Sequence, residues 1–190
     1  MQNMSIKIPL HKKPEILAVR HEKVSIFHVE QLDLRFSNSI EKTYYRLYGG
    51  RGAVIAVPFD GSNFFLSQEY ACGFDRYELG LVKGKIDEGE TPCQAVKREL
   101  QEEIGYDCQK LTPIRKEMTV APGMMSLKMY PFLCEDLVPR KLSGDEPEPI
   151  DLIKMSVSET KDLLFDPDSP LTESRAIACL SIALKMLGKM

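Results

Sequence analysis

The sequence predicts an α/β (α+β) protein with an antiparallel β-hairpin at its N-terminus. Two observations carry this prediction. Apolar and polar residues alternate with a period of two in the first third of the chain, which is the period of a β-strand. Further along, helix-capping residues flank segments whose apolar residues recur every three or four positions, as in an α-helix.

The length and composition fit one globular unit with a core of its own. Of the 190 residues, 43% are hydrophobic and 28% are charged, and the formal net charge is −3. A mildly acidic chain without a long Lys/Arg run is poorly suited to binding nucleic acid polymers through their phosphates. No signal-like segment opens the chain, and no apolar segment approaches the roughly 20 residues that span a bilayer. We therefore expect a cytoplasmic protein without membrane contact.

The N-terminal region has the pattern of a β-hairpin. Val24 to Phe36 alternates as a strand, and the Ser-Asn-Ser that follows is typical of a turn. Thr43 to Tyr48 can return as the partner strand. We therefore divide the chain into residues 1–48, which form the hairpin, and a main domain of residues 49–190.

The main domain begins with β-rich runs. Ala53 to Phe59 and Phe64 to Gln68 are separated by the turn signal Asp-Gly-Ser-Asn, so we predict two central strands. Glu117 to Ala121 and Met129 to Leu133 predict another antiparallel pair. Gly144 to Pro149, which reads GDEPEP, is predicted to be irregular.

Two helices are predicted near the C-terminus. Ser156 and Glu159 have the spacing of a capping box for a short helix. Thr172 can cap a longer helix. The apolar stripe of that helix consists of Ile177, Leu180, Leu184 and Leu187, and Gly188 ends it.

The most informative segment reads GKIDEGETPCQAVKRELQEEIGY and begins at Gly84. Thr91 suits an N-cap, Pro92 the first helical position and Gly105 a left-handed stop, so we predict a helix from Pro92 to Ile104. Its apolar face, which we expect to pack, consists of Cys93, Val96, Leu100 and Ile104. Its acidic face, which we expect to stay open, consists of Glu99, Glu102 and Glu103.

Three like charges within one turn repel one another unless a cation neutralises them. Hard divalent cations such as Mg²⁺ prefer carboxylate oxygens, water and substrate phosphate oxygens. Glutamate pairs are by themselves more often a solvated helix face. The residue types alone therefore leave both interpretations open.

The spacing around these glutamates resembles a known motif. The Nudix box consists of glycine, five residues, glutamate, seven residues, Arg-Glu, an aliphatic residue, any residue, Glu-Glu, any residue and glycine. It is matched here by Gly84, Glu90, Arg98, Glu99, Leu100, Glu102, Glu103 and Gly105. The one departure is Tyr106, where the family usually has an aliphatic residue, and that position packs rather than reacts.

The resemblance implies a Nudix fold, in which a mixed β-sheet is sandwiched between helices. Residues 49–190 would form the Nudix hydrolase domain, with the box at residues 84–106. Residues 1–48 would be the dimerisation element of a homodimer. The resemblance also implies a Mg²⁺ cofactor, with Mn²⁺ as the alternative, and a small nucleoside diphosphate substrate rather than a nucleic acid polymer.

The family's site roles carry over to matching positions of the box. Glu99 and Glu103 are expected to be metal ligands, with Glu102 contributing directly or through water. Arg98 and Glu90 are expected to hold the loop and helix in place, and Arg98 is also a candidate for substrate binding. Gly84 would allow close approach of the backbone and Gly105 would end the helix. The carbonyl of Lys83 would reach the metal, and Lys83 is a further substrate-binding candidate.

Outside the box the chain resembles bacterial ADP compounds hydrolases and, more loosely, ADP-ribose pyrophosphatases. The resemblance lies in FSNS, QEYACGFDRYELG, KGKIDEGE and GDEPEP. It implies hydrolysis of ADP-ribose, NADH and diadenosine polyphosphates to AMP and a phosphorylated product. The alternatives are a Nudix hydrolase of another nucleoside diphosphate derivative and a non-catalytic Nudix nucleotide sensor. The intact box carboxylates weigh against the sensor.

Catalytic candidates follow from the same resemblance. In the ADP-ribose relatives the general base comes from an acidic loop after the box, which places Glu146 as the base and Glu148 as a helper in metal binding. A charged, proline-rich loop is on its own more often only a solvated loop. Glu78 resembles a position that contacts substrate or metal-bound water, and a structural ion pair of Glu78 with Arg76 or Lys83 is equally consistent with the sequence.

Overall fold

The computed structural model describes residues 9–144 and 147–190. The chain forms two compact units. The first extends to Gly49 and includes Ala121–Ser126, and the second contains Gly50–Val120 and Leu127–Met190. Nothing in the sequence pattern indicates that Ala121–Ser126 belongs to the first unit.

The N-terminal unit contains a three-stranded antiparallel sheet in the order β1–β2–β3. Its strands are β1 (Glu15–Val24), β2 (Phe27–Arg35) and β3 (Glu41–Leu47). The predicted hairpin is confirmed as β2 and β3, and Ser39 in its turn has a φ of 64°. The predicted start of the first strand at Val24 is wrong. Ser25, with a φ of 54°, reverses the chain there, so that β1 precedes β2.

The segment Ala121–Ser126 is hydrogen-bonded to the end of β3. The Leu47 N–H donates to the Met124 carbonyl at 2.8 Å, and the Ser126 N–H donates to the Leu47 carbonyl at 2.9 Å. The Gly49 N–H donates to the Ser126 hydroxyl at 3.0 Å. These bonds satisfy backbone groups that the last residues of an edge strand would otherwise leave to water.

The second unit contains two sheets. Its strands are β4 (Ala53–Pro58), β5 (Asn63–Ala71), β6 (Arg76–Gly80), β7 (Lys83–Lys85), β8 (Tyr106–Pro113), β9 (Met118–Thr119), β10 (Lys128–Pro139) and β11 (Asp151–Ser156). The larger sheet has the order β7–β4–β10–β8, with β9 paired to β10, and the smaller has the order β11–β5–β6. Strand β10 is parallel to β4 and antiparallel to β8 and β9, so the larger sheet is mixed, as expected.

The helices are α1 (Pro92–Glu99), a π-helical turn (Leu100–Ile104), α2 (Val157–Phe165) and α3 (Ser174–Met186). The capping box of Ser156 and Glu159 before α2 is confirmed. The predicted cap of α3 is wrong by one residue, because Glu173 accepts the first helical N–H bonds. Thr172 instead donates its hydroxyl to Glu78. None of the described helices is long and apolar enough to cross a membrane.

Strand β4 separates two apolar clusters, because successive side chains of a strand point to opposite faces. All six residues of β4 are buried. Ile55 lies in the cluster that contains Leu180 of α3, and Val54 lies in the cluster that contains Val96 of α1. Helices therefore cover both faces of the central strand, which confirms the predicted sandwich.

Candidate active site

The box helix begins where the sequence predicts. The Thr91 hydroxyl accepts a hydrogen bond from the Gln94 N–H, and the Gln94 side chain accepts one from the Thr91 N–H, which completes a capping box. Pro92 follows in the first turn, where its missing N–H costs no hydrogen bond. The predicted burial of Cys93 is wrong: Cys93 is exposed, and Ala95 is buried in its place.

The helix does not continue as an α-helix to Ile104. Leu100–Ile104 forms a π-helical turn, in which the Gly105 N–H donates to the Leu100 carbonyl. Gly105 then ends the helix in the left-handed conformation, with a φ of 76°. A π-helical turn contains an extra residue and rotates the side chains that follow it. Glu99 and Glu103 are therefore not stacked one α-helical turn apart.

The acidic face is buried rather than open, which corrects the prediction. Glu99 is 9% exposed and Glu103 is 7% exposed, while Glu102 is half-buried. A buried carboxylate is costly unless a hydrogen bond or an opposite charge compensates it. The neighbouring partners of the two buried carboxylates, Glu99 and Glu103, therefore matter for their charge.

Arg98 forms hydrogen bonds with several other residues of the box. Its Nε and Nη2 donate to the two oxygens of Glu90 at 2.8 and 2.9 Å. Its Nη1 donates to Glu99 at 2.7 Å and to Glu102 at 3.0 Å, and Nη2 also donates to the Lys85 carbonyl at 2.9 Å. The bonds to Glu90 contribute most to raising the pKa of Arg98. These contacts use all five guanidinium N–H groups, so the geometry supports a positioning role rather than contact with substrate.

The carboxylate of Glu99 lies against the backbone of Gly84. A β-carbon at position 84 would overlap that carboxylate, so the contact requires glycine. Burial raises the pKa of Glu99, and the Arg98 guanidinium opposes the rise. Gly84 lies on β7 directly opposite Val54 of β4, which places this carboxylate at the side of the central sheet.

Glu103 carries the least compensated carboxylate of the box. Its Oε1 accepts a hydrogen bond from the Lys83 N–H at 3.3 Å, and its buried Oε2 has no hydrogen-bond partner among the described residues. Burial raises the pKa of Glu103 to about 9, and the nearby Glu69 adds to the rise. An unpartnered buried oxygen in a native protein calls for an explanation such as a bound ion.

The side chain of Lys83 forms an ion pair with Glu69 of β5. Motif spacing gives no sign of Glu69, because an isolated glutamate in a strand resembles any solvated side chain. Lys83 also lines a cavity of about 470 Å³, which is within the usual size range of small-molecule sites. Lys83, which is predicted to bind substrate, therefore lies between the box carboxylates and this cavity.

Glu78 lies on the wall of the same cavity. One of its oxygens accepts the Thr172 hydroxyl at 2.7 Å, and the other accepts Arg76 at 2.6 Å. The bond from Thr172, with that from Arg76, lowers the pKa of Glu78. Of the two interpretations of Glu78, the structure contains the ion pair with Arg76, and its place on the cavity wall keeps substrate contact open.

The acidic loop after β10 reaches the box carboxylates. Glu146 lies outside the described residues, so its placement stays a prediction. Pro147 and Glu148 line a cavity of about 280 Å³ together with Glu102 and Glu103. Glu148 accepts a hydrogen bond from the hydroxyl of Tyr77 at 2.7 Å. No motif includes Tyr77, and its position in a short strand carries no sequence signal of this contact.

The box residues fit a divalent cation by their chemistry. Glu99, Glu102 and Glu103 supply hard carboxylate oxygens, and Glu103 contributes the unpartnered Oε2. Within residues 9–144 and 147–190, no three His, Cys, Asp or Glu side chains form a ready metal cage. Arg98 donates hydrogen bonds to two of these three carboxylates, Glu99 and Glu102. A cation that binds these two groups would have to replace those hydrogen bonds.

Comparison with known proteins gives the family. The NUDIX domain model matches residues 50–170, and the model of the NudE-type Nudix hydrolase N-terminal domain matches residues 14–46. The chain belongs to the Nudix hydrolase family. Nudix hydrolases generally use divalent metal ions, in agreement with the donor set of this box.

Relatives of this Nudix chain cover most of its length. It is 40% identical over 178 residues to ADP compounds hydrolase NudE of Escherichia coli (strain K12), which is 93% of this chain and 94% of the relative. It is 28% identical over 144 residues to ADP-ribose pyrophosphatase of Bacillus subtilis (strain 168), covering 75% of this chain and 76% of the relative. A crystal structure of an ADP compounds hydrolase matches with a TM-score of 0.86 and 37% identity, covering 96% of this chain and 100% of that one. These matches confirm the Nudix fold.

The contact between Gly84 and Glu99 can be tested by adding one methyl group. In Gly84→Ala the β-carbon displaces the Glu99 carboxylate, so we expect the affinity for Mg²⁺ to fall about 10- to 100-fold, as when a group that orients metal ligands is lost. Isothermal titration calorimetry measures this affinity. Gly73→Ala is the matched control, because a β-carbon at position 73 meets nothing within 4 Å. Equal Mg²⁺ affinities of the two variants would contradict the contact.

The raised pKa of Glu103 predicts a pH-dependent stability of the metal-free protein. A carboxyl group whose pKa is higher in the folded state stabilises fully below its unfolded pKa and loses that contribution as the pH rises through the folded value. The window here runs from about pH 5 to about pH 9. Glu103→Gln removes the group, so its stability advantage over the wild type should grow across this window, by at most about 1.4 kcal/mol per pH unit.

Urea unfolding at pH 5 and pH 8 in the presence of a chelator measures this difference. Saturating Mg²⁺ should stabilise the wild type and leave Glu103→Gln nearly unchanged. Glu88→Gln serves as the control, because the Glu88 side chain is 88% exposed. A gap between wild type and Glu103→Gln that is the same at both pH values would refute the assignment.

Proposed function

We propose that the protein hydrolyses the diphosphate bond of ADP-linked compounds with Mg²⁺, releasing AMP and a phosphorylated product. ADP-ribose, NADH and diadenosine polyphosphates are the proposed substrates, and Mn²⁺ is the alternative metal. The observation that carries the proposal is the complete carboxylate helix with its unpartnered Glu103 oxygen. That helix lies in a chain 40% identical to an ADP compounds hydrolase over 93% of its length.

Each of the box residues has its own proposed role. Glu99 and Glu103, with Glu102, would hold Mg²⁺, which when bound would neutralise the charge of the diphosphate and supply an activated water. Gly84 and Arg98 keep the carboxylates in place through the contacts described above. Lys83 precedes Gly84 on β7, and its ammonium is paired with Glu69 on the cavity wall, where it can bind a diphosphate oxygen in exchange for Glu69.

The acidic loop is the proposed source of the general base. Glu146 is the proposed base, with Glu148 assisting metal binding and Glu102 as a further catalytic carboxylate. Support comes from the loop on either side of Glu146 along the chain. A β-carbon at Gly144 would be 3.3 Å from that of Glu102, and Glu148 shares a cavity with Glu103. Both parts of the loop therefore lie near the carboxylates that the base must serve.

The group attached to the diphosphate is proposed to occupy the 470 Å³ cavity beside Lys83. Phe74, which is 73% exposed, offers an aromatic face on this cavity, and the Arg76 guanidinium lies 5.5 Å from its ring centre. Glu78 and Thr172 offer an acceptor and a hydroxyl on the same wall. An aromatic surface beside oxygen acceptors suits a nucleobase or nicotinamide ring attached to a ribose.

The products formed from defined substrates test the proposed function. Purified protein is incubated with Mg²⁺ and ADP-ribose, NADH or diadenosine triphosphate, and the products are separated by chromatography. We expect AMP from at least one substrate, and a loss of at least about 1,000-fold in kcat for Glu103→Gln and Glu146→Gln, since each removes a group that acts in the transition state.

Full activity of a folded Glu146→Gln would overturn the base assignment alone. Release of no AMP by folded, Mg²⁺-loaded wild type would overturn the substrate class. That result would favour hydrolysis of another nucleoside diphosphate derivative or a nucleotide sensor.

A homodimer formed through the N-terminal sheet is the proposed assembly. Val19, Leu32 and Tyr44 lie side by side in register across β1, β2 and β3. Val19 and Tyr44 are each 42% exposed, and Ile16 is 58% exposed. Leu32 between them is buried. Exposed apolar side chains that flank a buried one on the same face of a sheet favour an interaction surface, and a second copy of the chain is the proposed occupant.

Light scattering at micromolar concentration tests the dimer. The wild type is expected to have twice the 21.5 kDa mass of the chain. Val19→Glu places a charge in the apolar row and is expected to give monomers. Tyr45→Glu is the control, because the side chain of Tyr45 points to the opposite face of β3 from Tyr44. A monomeric wild type would overturn the proposal.

A further inference from the structure

The segment that follows β10 is fastened to the end of the box helix. The Arg140 N–H donates to the Gly105 carbonyl at 2.8 Å, and the Leu142 N–H donates to the Gln101 carbonyl at 3.0 Å. The Lys141 ammonium donates to the Glu102 carbonyl at 2.5 Å. The chain therefore approaches the acidic loop from a fixed start on the π-helical turn.

On the other side of the acidic loop, Tyr77 holds Glu148. Its hydroxyl donates to Glu148 Oε1 at 2.7 Å, although 71 residues separate the two in sequence. The acceptor is a carboxylate, and such charge-assisted bonds are about twice as strong as neutral ones. The bond leaves the second oxygen of Glu148 for another partner.

The ring of Tyr77 is itself held by its neighbours. Tyr77 pairs with Tyr70 in the register of β5 and β6, and the two rings pack edge to face with centroids 5.7 Å apart. The Tyr70 hydroxyl donates to Asp75 at 2.6 Å, so it is directed away from Glu148. A ring fixed on a strand presents its hydroxyl at one place, which is what a positioning contact requires.

We propose that Tyr77 is a positioning residue, whose hydroxyl fixes the carboxylate of Glu148 and so holds residues 147–149 beside Glu102 and Glu103. Glu148 and these two glutamates line one cavity, so a shift of Glu148 moves a carboxylate within the region where the reaction is proposed to occur. The catalytic part of this inference rests on the proposed function.

The backbone NMR order parameters of Glu148 and Ile150 in the metal-free protein test the contact without any activity. They are preferred to amide hydrogen exchange, because neither the Glu148 nor the Ile150 N–H has a hydrogen-bond acceptor among the described residues. In Tyr77→Phe the ring remains and the hydroxyl is lost, so both order parameters should fall, from about 0.85 toward about 0.6. Tyr70→Phe removes the neighbouring hydroxyl instead and should leave both order parameters at the wild-type value. Unchanged order parameters in folded Tyr77→Phe would overturn the contact, whether or not the protein hydrolyses ADP-linked compounds.

Kinetics of the same variants test the positioning role. Tyr77→Phe should lower kcat about 10-fold with KM changed less than 2-fold, as expected for a group that orients a catalytic residue. Glu148→Ala removes the acceptor, so adding Tyr77→Phe to it should cause no further loss. Additive losses, or a wild-type kcat in Tyr77→Phe, would overturn the role. An inactive wild type would instead contradict the proposed function and leave the contact itself untouched, because the NMR measurement on the metal-free protein reports the contact separately.

Discussion

The guanidinium of Arg98 is the group on which the site depends. One cation compensates three carboxylates, those of Glu90, Glu99 and Glu102, through hydrogen bonds of 2.7 to 3.0 Å. Removing one partner of a buried ion pair leaves an uncompensated charge, which typically costs about 3–5 kcal/mol. Arg98 therefore links two features that the sequence presents separately: the loop before α1, through Glu90, and the carboxylates of Glu99 and Glu102 after it.

Arg98 does not contact the carboxylate of Glu103. Glu103 therefore lacks the compensating positive charge that lies beside Glu99 and Glu102. Burial and the nearby Glu69 and Glu99 raise the pKa of Glu103, while the Lys83 N–H is its one described hydrogen-bond donor. Were Glu103 to bind a cation, it would do so as a carboxylate, so metal binding would be coupled to release of its proton. The burial of Glu103 would then lower the stability of the metal-free protein as the pH rises and increase the gain in stability from a bound cation.

Local sequence signals located the box helix well, and tertiary contacts determined what they missed. Thr91, Pro92 and Gly105 mark its ends because capping and left-handed stops depend on neighbouring residues. The π-helical turn and the burial of Glu99 depend on how β7 packs against the helix, which no spacing rule contains. The contact of Tyr77 with Glu148 went unpredicted for the same reason. The turn at Ser25 is local, and it was missed because Val24, Ile26 and His28 continue the strand alternation across it. Gly84 was easier to interpret from the sequence, because a glycine at that position of the motif indicates that another group approaches the backbone closely.

The spacing of the box follows from these constraints taken together. Gly84 is paired to the central strand, so the Glu99 carboxylate that overlies it can approach only if α1 packs directly on the sheet. That packing buries Val96 and Leu100 completely and brings Arg98 to the loop that carries Glu90. A longer or shorter loop would separate Arg98 from Glu90 while leaving the helix intact. The fixed distances between glycine, glutamate and arginine therefore follow from one packed geometry, in which the contacts that close the loop also hold the like charges of Glu99 and Glu102 together.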